Sequence, residues 1–242
     1  MIDSTQNKEK ILQEFLIIAA SDGWSLESLQ QALKSCQIEE KFLPLIFEND
    51  LLDLLKFYVE TYNHKASQQI VNDQNFSSSK IREKIATLIL KRLEVEIPNK
   101  LALQRLLNFL LNPKNLLTVK YGIRPAFIGF KLCYQIADHM WYSIGDNATD
   151  FNFYTKRMIL AKVFYRSFFK FLKDDSADLA LTKNFITDEI NKVMKIQRYK
   201  AIAKDFSFKI KNEITSILLK EDGVLKSPTD LIKSLPFIRL FK

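Results

Sequence analysis

The chain has 242 residues, of which 47% are hydrophobic and 26% are charged, which allows a sizeable core and is typical of a globular protein. Only 5 Gly and 6 Pro interrupt it, which favours long helices over many short strands. The net charge of +8 is uneven: residues 1–50 carry 4 Lys against 9 Asp and Glu, whereas residues 191–242 carry 12 Lys and Arg against 5 Asp and Glu.

The two cysteines, Cys36 and Cys133, lie far apart in the sequence. A disulfide framework is therefore not expected, and the expected location is a reducing compartment. The first residues, MIDSTQNKEK, are typical of neither a signal peptide nor an arginine-rich transit peptide. No apolar run approaches the roughly 18 residues of a membrane span. The composition therefore argues against an integral membrane protein and leaves association with a membrane surface open.

Four helical segments are predicted in the first third of the chain. Apolar residues at helical spacing define the first, which Gly23 ends, and Ser25 caps the second. The predicted segments run from about residue 8 to 21, 25 to 35, 39 to 47 and 51 to 73. This order of three short helices and one long helix resembles the N-terminal domain of TetR-type regulators, in which the third helix enters the major groove.

The third of these segments does not favour DNA binding. It reads IEEKFLPLIFEND, with one lysine, four acidic residues and Pro44. Neutralising phosphates with cations supplies most of the affinity for DNA. We therefore expect a helix-turn-helix-like domain that does not bind nucleic acid.

The remaining chain is also predicted to be helical, and no segment shows the alternation of a strand. The polar stretch from Asn72 to Ser79 and residues 114–125 are predicted loops, and Gly145 ends a helix. The predicted helices run from about residue 79 to 96, 98 to 111, 125 to 144, 150 to 173 and onward to about 203. The sequence thus predicts an all-α protein.

The helix that begins near Asp150 is apolar over most of its circumference. Its polar residues form a single stripe, with the remaining positions almost all apolar, which is typical of a helix that is buried or lines a cavity. The stripe comprises Lys162, Arg166, Lys170 and Lys173.

The C-terminal segment, residues 204–242, mixes apolar residues with cations. Ser227 and Pro228 begin a short helix there, and the chain ends in PFIRLFK. This pattern is typical of an interfacial membrane anchor, in which cations attract anionic lipid, or of an ordinary packed helix with a basic tail. The residues that would associate with the membrane are Leu231, Ile232, Leu235, Phe237, Ile238 and Phe241.

The residues offer little catalytic chemistry. The two histidines, His64 and His139, form no cluster with zinc-site spacing, and no pair of E-x-x-H motifs indicates a di-iron site. There is no Walker loop, no G-x-G-x-x-G and no G-x-S-x-G. We therefore expect a protein that is not an enzyme and holds no metal.

An aromatic-rich stretch, DHMWYSIGDNATDFNFYTKR, runs from Asp138 to Arg157. Its pattern MW-x-x-x-GD-x-x-TDFN-[WF]-YT-x-R resembles the signature of the lipid-binding accessory proteins of ubiquinone biosynthesis, the ninth Coq protein and its bacterial relatives. The strong similarity extends to Asp178, and weaker similarity occurs at DGWSLESL and from Leu51 to Ile70. Phe153 departs from the family, in which tryptophan is frequent at that position.

The resemblance implies a TetR-like homodimer without a cofactor, whose larger C-terminal part binds an isoprenoid quinone intermediate or another lipid. It also implies that the protein presents this lipid to the di-iron demethoxyubiquinone hydroxylase at the membrane. The matching docking positions are Met140, Trp141, Asp150, Phe153, Tyr154 and Arg157. The helix after them is expected to line the lipid cavity through Met158, Leu160, Val163, Phe164, Phe168 and Leu172.

These expectations define three regions: a helix-turn-helix-like domain (1–75), a helical lipid-binding domain (76–203) and an amphipathic membrane-associating segment (204–242). The expected location is cytoplasmic and peripheral on the inner face of the membrane, or on the matrix side in a mitochondrion. Two alternatives stay open. One is a TetR-type transcriptional regulator with a hydrophobic ligand pocket, and the other is a helical interaction protein without a ligand.

Overall fold

The computed structural model of the protein describes residues 5–71, 74–112, 125–146 and 151–202. All regular structure within these ranges is helical, so the prediction of an all-α protein is confirmed. The more detailed TetR-like arrangement stays a prediction.

The helices are numbered in chain order. They are α1 (Thr5–Asp22), α2 (Leu26–Ser35), α3 (Leu43–Ile46), α4 (Leu51–Gln68), α5 (Gln74–Ser78), α6 (Ile81–Glu94), α7 (Lys100–Leu111), α8 (Pro125–Ser143), α9 (Phe151–Leu172) and α10 (Ala180–Ile202). Short 3₁₀ turns at Glu40–Phe42, Ile97–Asn99 and Ala177–Leu179 precede α3, α7 and α10.

The first two helices form a hairpin whose turn chemistry matches the sequence. Gly23 has a φ of +88°, which glycine adopts without steric cost, and the Ser25 hydroxyl accepts a hydrogen bond from the Ser28 backbone N–H at 3.0 Å. Between them, Trp24 is buried and its indole donates to the Ala102 carbonyl on α7 at 2.9 Å. This one side chain fixes the hairpin against α7.

Two predicted boundaries are wrong in the middle of the chain. The fourth helix was expected to reach Asp73 but ends at Gln68. The stretch from Asn72 to Ser79 was expected to be a loop but contains the single turn α5. This turn packs against α6, with the Lys84 ammonium 5.7 Å from the centroid of the Phe76 ring. A tertiary contact therefore stabilises a helix that the polar sequence does not favour.

The core lies where α1, α4, α6, α7, α8 and α9 pack together. Its fully buried side chains include Leu54, Ile89, Leu103 and Phe171. The pairing of α8 with α9 is the most extensive between any two described helices. Because these two helices flank the aromatic-rich stretch, their packing determines how that stretch is presented.

The chain separates into two units, Met1–Ile190 and Asn191–Lys242, and the described part of the second is the end of α10. The predicted region boundaries after residues 75 and 203 stay predictions. No helix in the described ranges is both long enough and apolar enough to cross a bilayer. The predicted membrane-associating residues, Leu231, Ile232, Leu235, Phe237, Ile238 and Phe241, lie outside the described residues.

Candidate functional site

The aromatic-rich stretch begins with a closed helix end. Gly145 has a φ of +79°, and the Asp146 N–H donates to the Trp141 carbonyl at 3.1 Å while the Gly145 N–H donates to the Tyr142 carbonyl at 3.0 Å. This pair of bonds around a left-handed glycine is the Schellman motif, which satisfies carbonyls at the end of a helix. The motif turns the chain out of α8 and places Asp146 toward α9.

Arg157 of α9 holds this turn from the inside. The residue is 2% exposed. Its guanidinium donates to Asp138 on α8, to Asp146 after the turn at 3.2 Å, and to the Phe153 carbonyl at 3.2 Å. Its central carbon also lies 3.4 Å from the centroid of the Phe153 ring. One buried cation thus connects α8, the turn and α9.

Lys156 completes the arrangement from the solvent side. Its ammonium lies 2.7 Å from Asp146 and 5.3 Å from the centroid of the Trp141 ring. Hydrogen bonds from Lys156, and then from Arg157, lower the pKa of Asp146 and outweigh the opposing effect of burial. We call Asp138, Asp146, Lys156 and Arg157 the turn clamp.

The predicted docking residues differ in exposure. Tyr154 is 60% exposed and Met140 is buried, whereas Trp141 and Phe153 are half-buried. Asp150 lies outside the described residues. Arg157 is buried, because two carboxylates hold its guanidinium inside the turn clamp, and its docking role stays a prediction.

The outer face of α8 carries exposed aromatic residues that the sequence reasoning missed. Phe127 and Phe130 are about half exposed, and the Phe130 ring lies 6.4 Å from that of Tyr134. Burial raises the pKa of Tyr134, the Arg157 guanidinium opposes that rise and the Asp138 carboxylate adds to it, so Tyr134 lies beside the turn clamp. The spacing of positions 127, 130 and 134, three and four residues apart, was the available signal.

The residues predicted to line a lipid cavity lie on the core side of α9. Leu160, Val163, Phe164 and Leu172 are buried, and Met158 and Phe168 are half-buried. The Phe164 and Phe168 rings stack with their centroids 6.4 Å apart. The apolar face of the helix is as the sequence predicted, and its role in lipid binding stays a prediction.

A second buried polar cluster was not predicted. Arg92 on α6 pairs with Glu96 and donates to the Asn63 side chain at 3.0 Å, while the Tyr58 hydroxyl donates to Glu96. Asn99 donates to the Tyr62 hydroxyl at 2.6 Å. We call the six residues Tyr58, Tyr62, Asn63, Arg92, Glu96 and Asn99 the buried network.

The network keeps its phenols neutral. Burial, reinforced by the Glu96 charge, raises the pKa of Tyr62 to about 12 and that of Tyr58 well above its ordinary value. Burial likewise raises the pKa of the nearby Cys133 thiol to about 12, and a thiol is a poor nucleophile while it stays protonated. In the described ranges, no three His, Cys, Asp or Glu residues come together as a metal site.

A second hydrogen-bonded turn lies at the C-terminal end of α9, where the FLKDDSADL segment leads into α10. The Asp174 carboxylate accepts four hydrogen bonds, from the backbone N–H and hydroxyl of Ser176 and of Thr182. Lys100 on α7 donates to the Asp174 carbonyl at 2.6 Å. Burial acts to raise the pKa of Asp174, but the hydrogen bonds from Ser176 and Thr182 outweigh it and hold the pKa well below its usual range.

We call Asp174, Ser176 and Thr182 the Asp174 corner. Its hydrogen bonds are expected to make an acid-sensitive contribution to stability. Asp174→Asn should lower the free energy of unfolding at pH 7 by about 1–3 kcal/mol, because the amide cannot accept all four hydrogen bonds. A depressed pKa gives stability above the unfolded value of about 3.9 that is lost as pH falls through the folded pKa. Urea titrations should therefore show the same difference between the two proteins at pH 7 and 5 and a smaller difference at pH 3, and an unchanged difference at pH 3 would contradict this account. Asp175→Asn is the control, because its side chain is 95% exposed.

The described part of the chain is all-α, and the turn clamp lies within the aromatic-rich stretch that carries the family resemblance. The family model described as COQ9 matches residues 128–197, which include the turn clamp, Tyr154 and the Asp174 corner. The resemblance to the ubiquinone-biosynthesis accessory family is thereby confirmed.

Curated relatives extend this similarity over most of the chain. The "Ubiquinone biosynthesis protein COQ9, mitochondrial" of Rattus norvegicus is 27% identical over 195 residues, which cover 78% of this chain and 59% of that protein. The protein of the same name from Homo sapiens is 25% identical, covering 78% and 58%. The "Probable ubiquinone biosynthesis protein coq9, mitochondrial" of Dictyostelium discoideum is 25% identical, covering 80% and 61%. The chain therefore spans about three fifths of the length of these mitochondrial relatives.

Proposed function

We propose that this chain is a non-catalytic accessory protein of ubiquinone biosynthesis that binds an isoprenoid quinone intermediate and presents it to the di-iron demethoxyubiquinone hydroxylase at the membrane surface. The observation that carries the proposal is the COQ9 family match over residues 128–197, together with the turn clamp that this match contains. In this proposal the chain works as a homodimer, peripheral on the inner or matrix face of the membrane.

The physical need for such a protein follows from the substrate. A polyisoprenoid tail stays in the bilayer because transfer of apolar surface into water is unfavourable. The hydroxylase must nevertheless receive the quinone head group. A carrier with an apolar interior lowers the cost of withdrawing the tail, and the largely apolar α9 offers side chains for that interior. The basic segment 204–242 is proposed to associate with anionic lipid.

The turn clamp gives the proposed docking surface its rigidity. Arg157 fixes α8 and α9 at the turn, and the adjacent Tyr154 ring lies edge-on to Phe153 with centroids 5.1 Å apart. An exposed aromatic side chain on a rigid support loses little conformational entropy on binding and is typical of an interface hot spot. In the proposed complex, Tyr154 is the principal contact with the hydroxylase, and Trp141 and Phe153 support it.

The lipid part of the proposal is tested by mass spectrometry of an organic extract of the gently purified full chain. A prenylated quinone or a related isoprenoid is the expected result. An extract containing no long apolar molecule, from protein that also fails to take up added ubiquinone, would contradict lipid binding. The docking part of the proposal has a separate test, and a negative lipid result does not decide it.

The docking part predicts that Tyr154→Ala weakens capture of the hydroxylase from the same organism by at least about tenfold, since hot-spot residues contribute about 2 kcal/mol or more. Tyr142→Ala is the matched control, because Tyr142 belongs to the same stretch and is 76% exposed but lies before the turn. Binding is measured by biolayer interferometry with the immobilised hydroxylase. Equal loss in the two variants would rule out a docking role specific to Tyr154.

A further inference from the structure

The outer side of α8 carries a row of aromatic side chains that solvent reaches. Phe127 is 49% exposed, Phe130 is 46% exposed, and the Tyr134 ring lies 6.4 Å from that of Phe130. Lys131 between them is exposed, and its ammonium has no acidic partner among the described residues. We call these four residues the α8 outer face.

The α8 outer face leads directly to the turn clamp. Successive helical residues are about 100° apart, so one side of α8, within an arc of about 100°, holds positions 127, 130, 131, 134, 138 and 141. The last two are Asp138, which belongs to the turn clamp, and the half-buried Trp141. The charges of Arg157 and Asp138 act on Tyr134, so its phenol lies next to the clamp. The α8 outer face is therefore continuous with the proposed docking surface at Tyr154.

Packing on the inner side of α8 makes this face rigid. Ile128, Leu132 and Ile136 are buried on that side, and α8 forms with α9 the most extensive helix pairing in the described ranges. Near the start of α8, the Leu110 side chain of α7 lies against the backbone at Gly129. Aromatic side chains on a fixed helix lose little conformational entropy on binding and are enriched at protein interfaces. The face is thus suited to binding another protein.

The size of a stable protein interface favours a contact along α8. Such an interface buries about 800 Å² on each partner, whereas one aromatic residue buries about 150–250 Å². Tyr154 and its half-buried neighbours at the turn therefore supply only part of that area. From position 127 to position 141, α8 extends the surface by about 21 Å, at about 1.5 Å per residue. A partner that contacts Tyr154 is expected to reach the α8 outer face as well.

Given the proposed function, on which this inference rests, we propose that the α8 outer face is a second contact for the hydroxylase, formed by an amphipathic helix of that enzyme lying along α8. The partner helix presents apolar residues, at spacings of three and four, to Phe127, Phe130 and Tyr134. It presents an acidic residue to Lys131.

Two other occupants fit this face less well. The charged side chains of α8 are one lysine and one aspartate, Lys131 and Asp138, so the helix has no net positive charge to attract anionic lipid. A second copy of the chain seated on the face would cover the approach to Tyr154 and exclude the hydroxylase from the proposed docking surface. The hydroxylase is therefore the favoured occupant.

Biolayer interferometry with the immobilised hydroxylase and the purified full chain tests the proposal. Phe127→Ala/Phe130→Ala should weaken capture by at least about tenfold, as expected for two interface aromatics. Ile17→Ala/Leu45→Ala is the matched control, because Ile17 and Leu45 are 68% and 61% exposed but lie on α1 and α3. If the α8 double variant binds as tightly as the control while Tyr154→Ala weakens capture, the second contact is overturned and the proposed function stands. Absence of capture by the wild-type chain would overturn both.

Lys131→Glu tests the acidic residue of the partner helix. This reversal should weaken capture by at least about fivefold in about 50 mM salt and by a smaller factor in about 500 mM salt, because ions screen an exposed pair. Lys131→Arg should bind like the wild type, and Lys34→Glu, at an exposed position of α2, is the control for charge reversal. Equal binding by Lys131→Glu and Lys34→Glu would overturn the acidic contact.

Photocrosslinking identifies the occupant directly. A benzophenone amino acid at position 130 should crosslink to one helix of the hydroxylase, at a residue with apolar neighbours three or four positions away. A crosslink to a second copy of this chain in the presence of the hydroxylase would overturn the proposal. The proposal would also fail if Phe127→Ala/Phe130→Ala lost binding to phosphatidylglycerol vesicles but captured the hydroxylase normally, because the face would then belong to the membrane.

Discussion

Replacing Arg92 by methionine should lower the free energy of unfolding by about 3–5 kcal/mol, because it leaves the Glu96 carboxylate buried without its cation. Arg92 is 2% exposed and Glu96 is 1% exposed, so water cannot replace the lost partner. The Asn63 oxygen also loses its donor in this variant. Methionine has a similar length and fills much of the same space, so the loss comes from electrostatics more than from packing.

A matched control is available one residue away. Lys91 forms an ion pair with Glu94 at 2.7 Å, but its side chain is 33% exposed, and ion pairs of that kind contribute about 0–1 kcal/mol. Urea denaturation of Arg92→Met and Lys91→Met at pH 7 makes the comparison. Equal losses in the two variants would mean that the buried network does not stabilise the fold in the way proposed.

A double variant separates the ion pair from its surroundings. Arg92→Met/Glu96→Gln removes both charges, and the neutral amide still offers an oxygen to the Tyr58 hydroxyl. Removing both partners of a buried pair costs much less than removing one, so the double variant should recover about half or more of the loss. A double variant no more stable than Arg92→Met would point to packing as the source of the loss.

The helices of this protein were largely predictable because their signals are local. The Ser25 cap, the glycine at position 23 and the long apolar runs of α8 and α9 each act within a few residues, and the structure bears them out. The short helix α5 was missed because its stability depends on the contact with α6. A five-residue polar segment carries too little local information to predict a helix.

The polar interior was not predictable, for a related reason. Arg92 and Glu96 are four residues apart, which in sequence is the ordinary pattern of a surface ion pair on a helix. Nothing local shows that Tyr58 and Asn63, which lie on α4, enclose that pair. The burial of Arg157 was not predictable either, because its carboxylate partners lie 19 and 11 residues earlier and only the tertiary pairing of α8 with α9 brings them together.

The two buried arginines therefore have different roles in the same fold. Arg92 closes a network inside the helical core, whereas Arg157 connects the turn after α8 to the first part of α9, which carries the exposed Tyr154. A variant of Arg92 should affect stability throughout the domain. A variant of Arg157 should affect stability and, in addition, the geometry of the proposed docking surface.

Arg157→Met should lower the free energy of unfolding by about 2–3 kcal/mol, since Asp146 keeps Lys156 as a partner and Asp138 is half exposed. Lys156→Met is the adjacent control and should cost no more than about 1 kcal/mol, because the Lys156 side chain is 36% exposed. Arg157→Lys should not restore the loss, since an ammonium cannot reproduce the guanidinium fork that binds both carboxylates. Urea denaturation measures all three variants.

The same variants distinguish a stabilising residue from one that also positions the docking surface. If the turn clamp sets the orientation of Tyr154, Arg157→Met should weaken hydroxylase capture at a temperature where the variant is fully folded by circular dichroism. Lys156→Met should leave it nearly unchanged. Arg92→Met, although less stable, should also capture the hydroxylase normally once folded, because the buried network lies away from the turn. Capture lost equally in Arg92→Met and Arg157→Met would attribute the effect to general destabilisation, and the turn clamp would then have no positioning role.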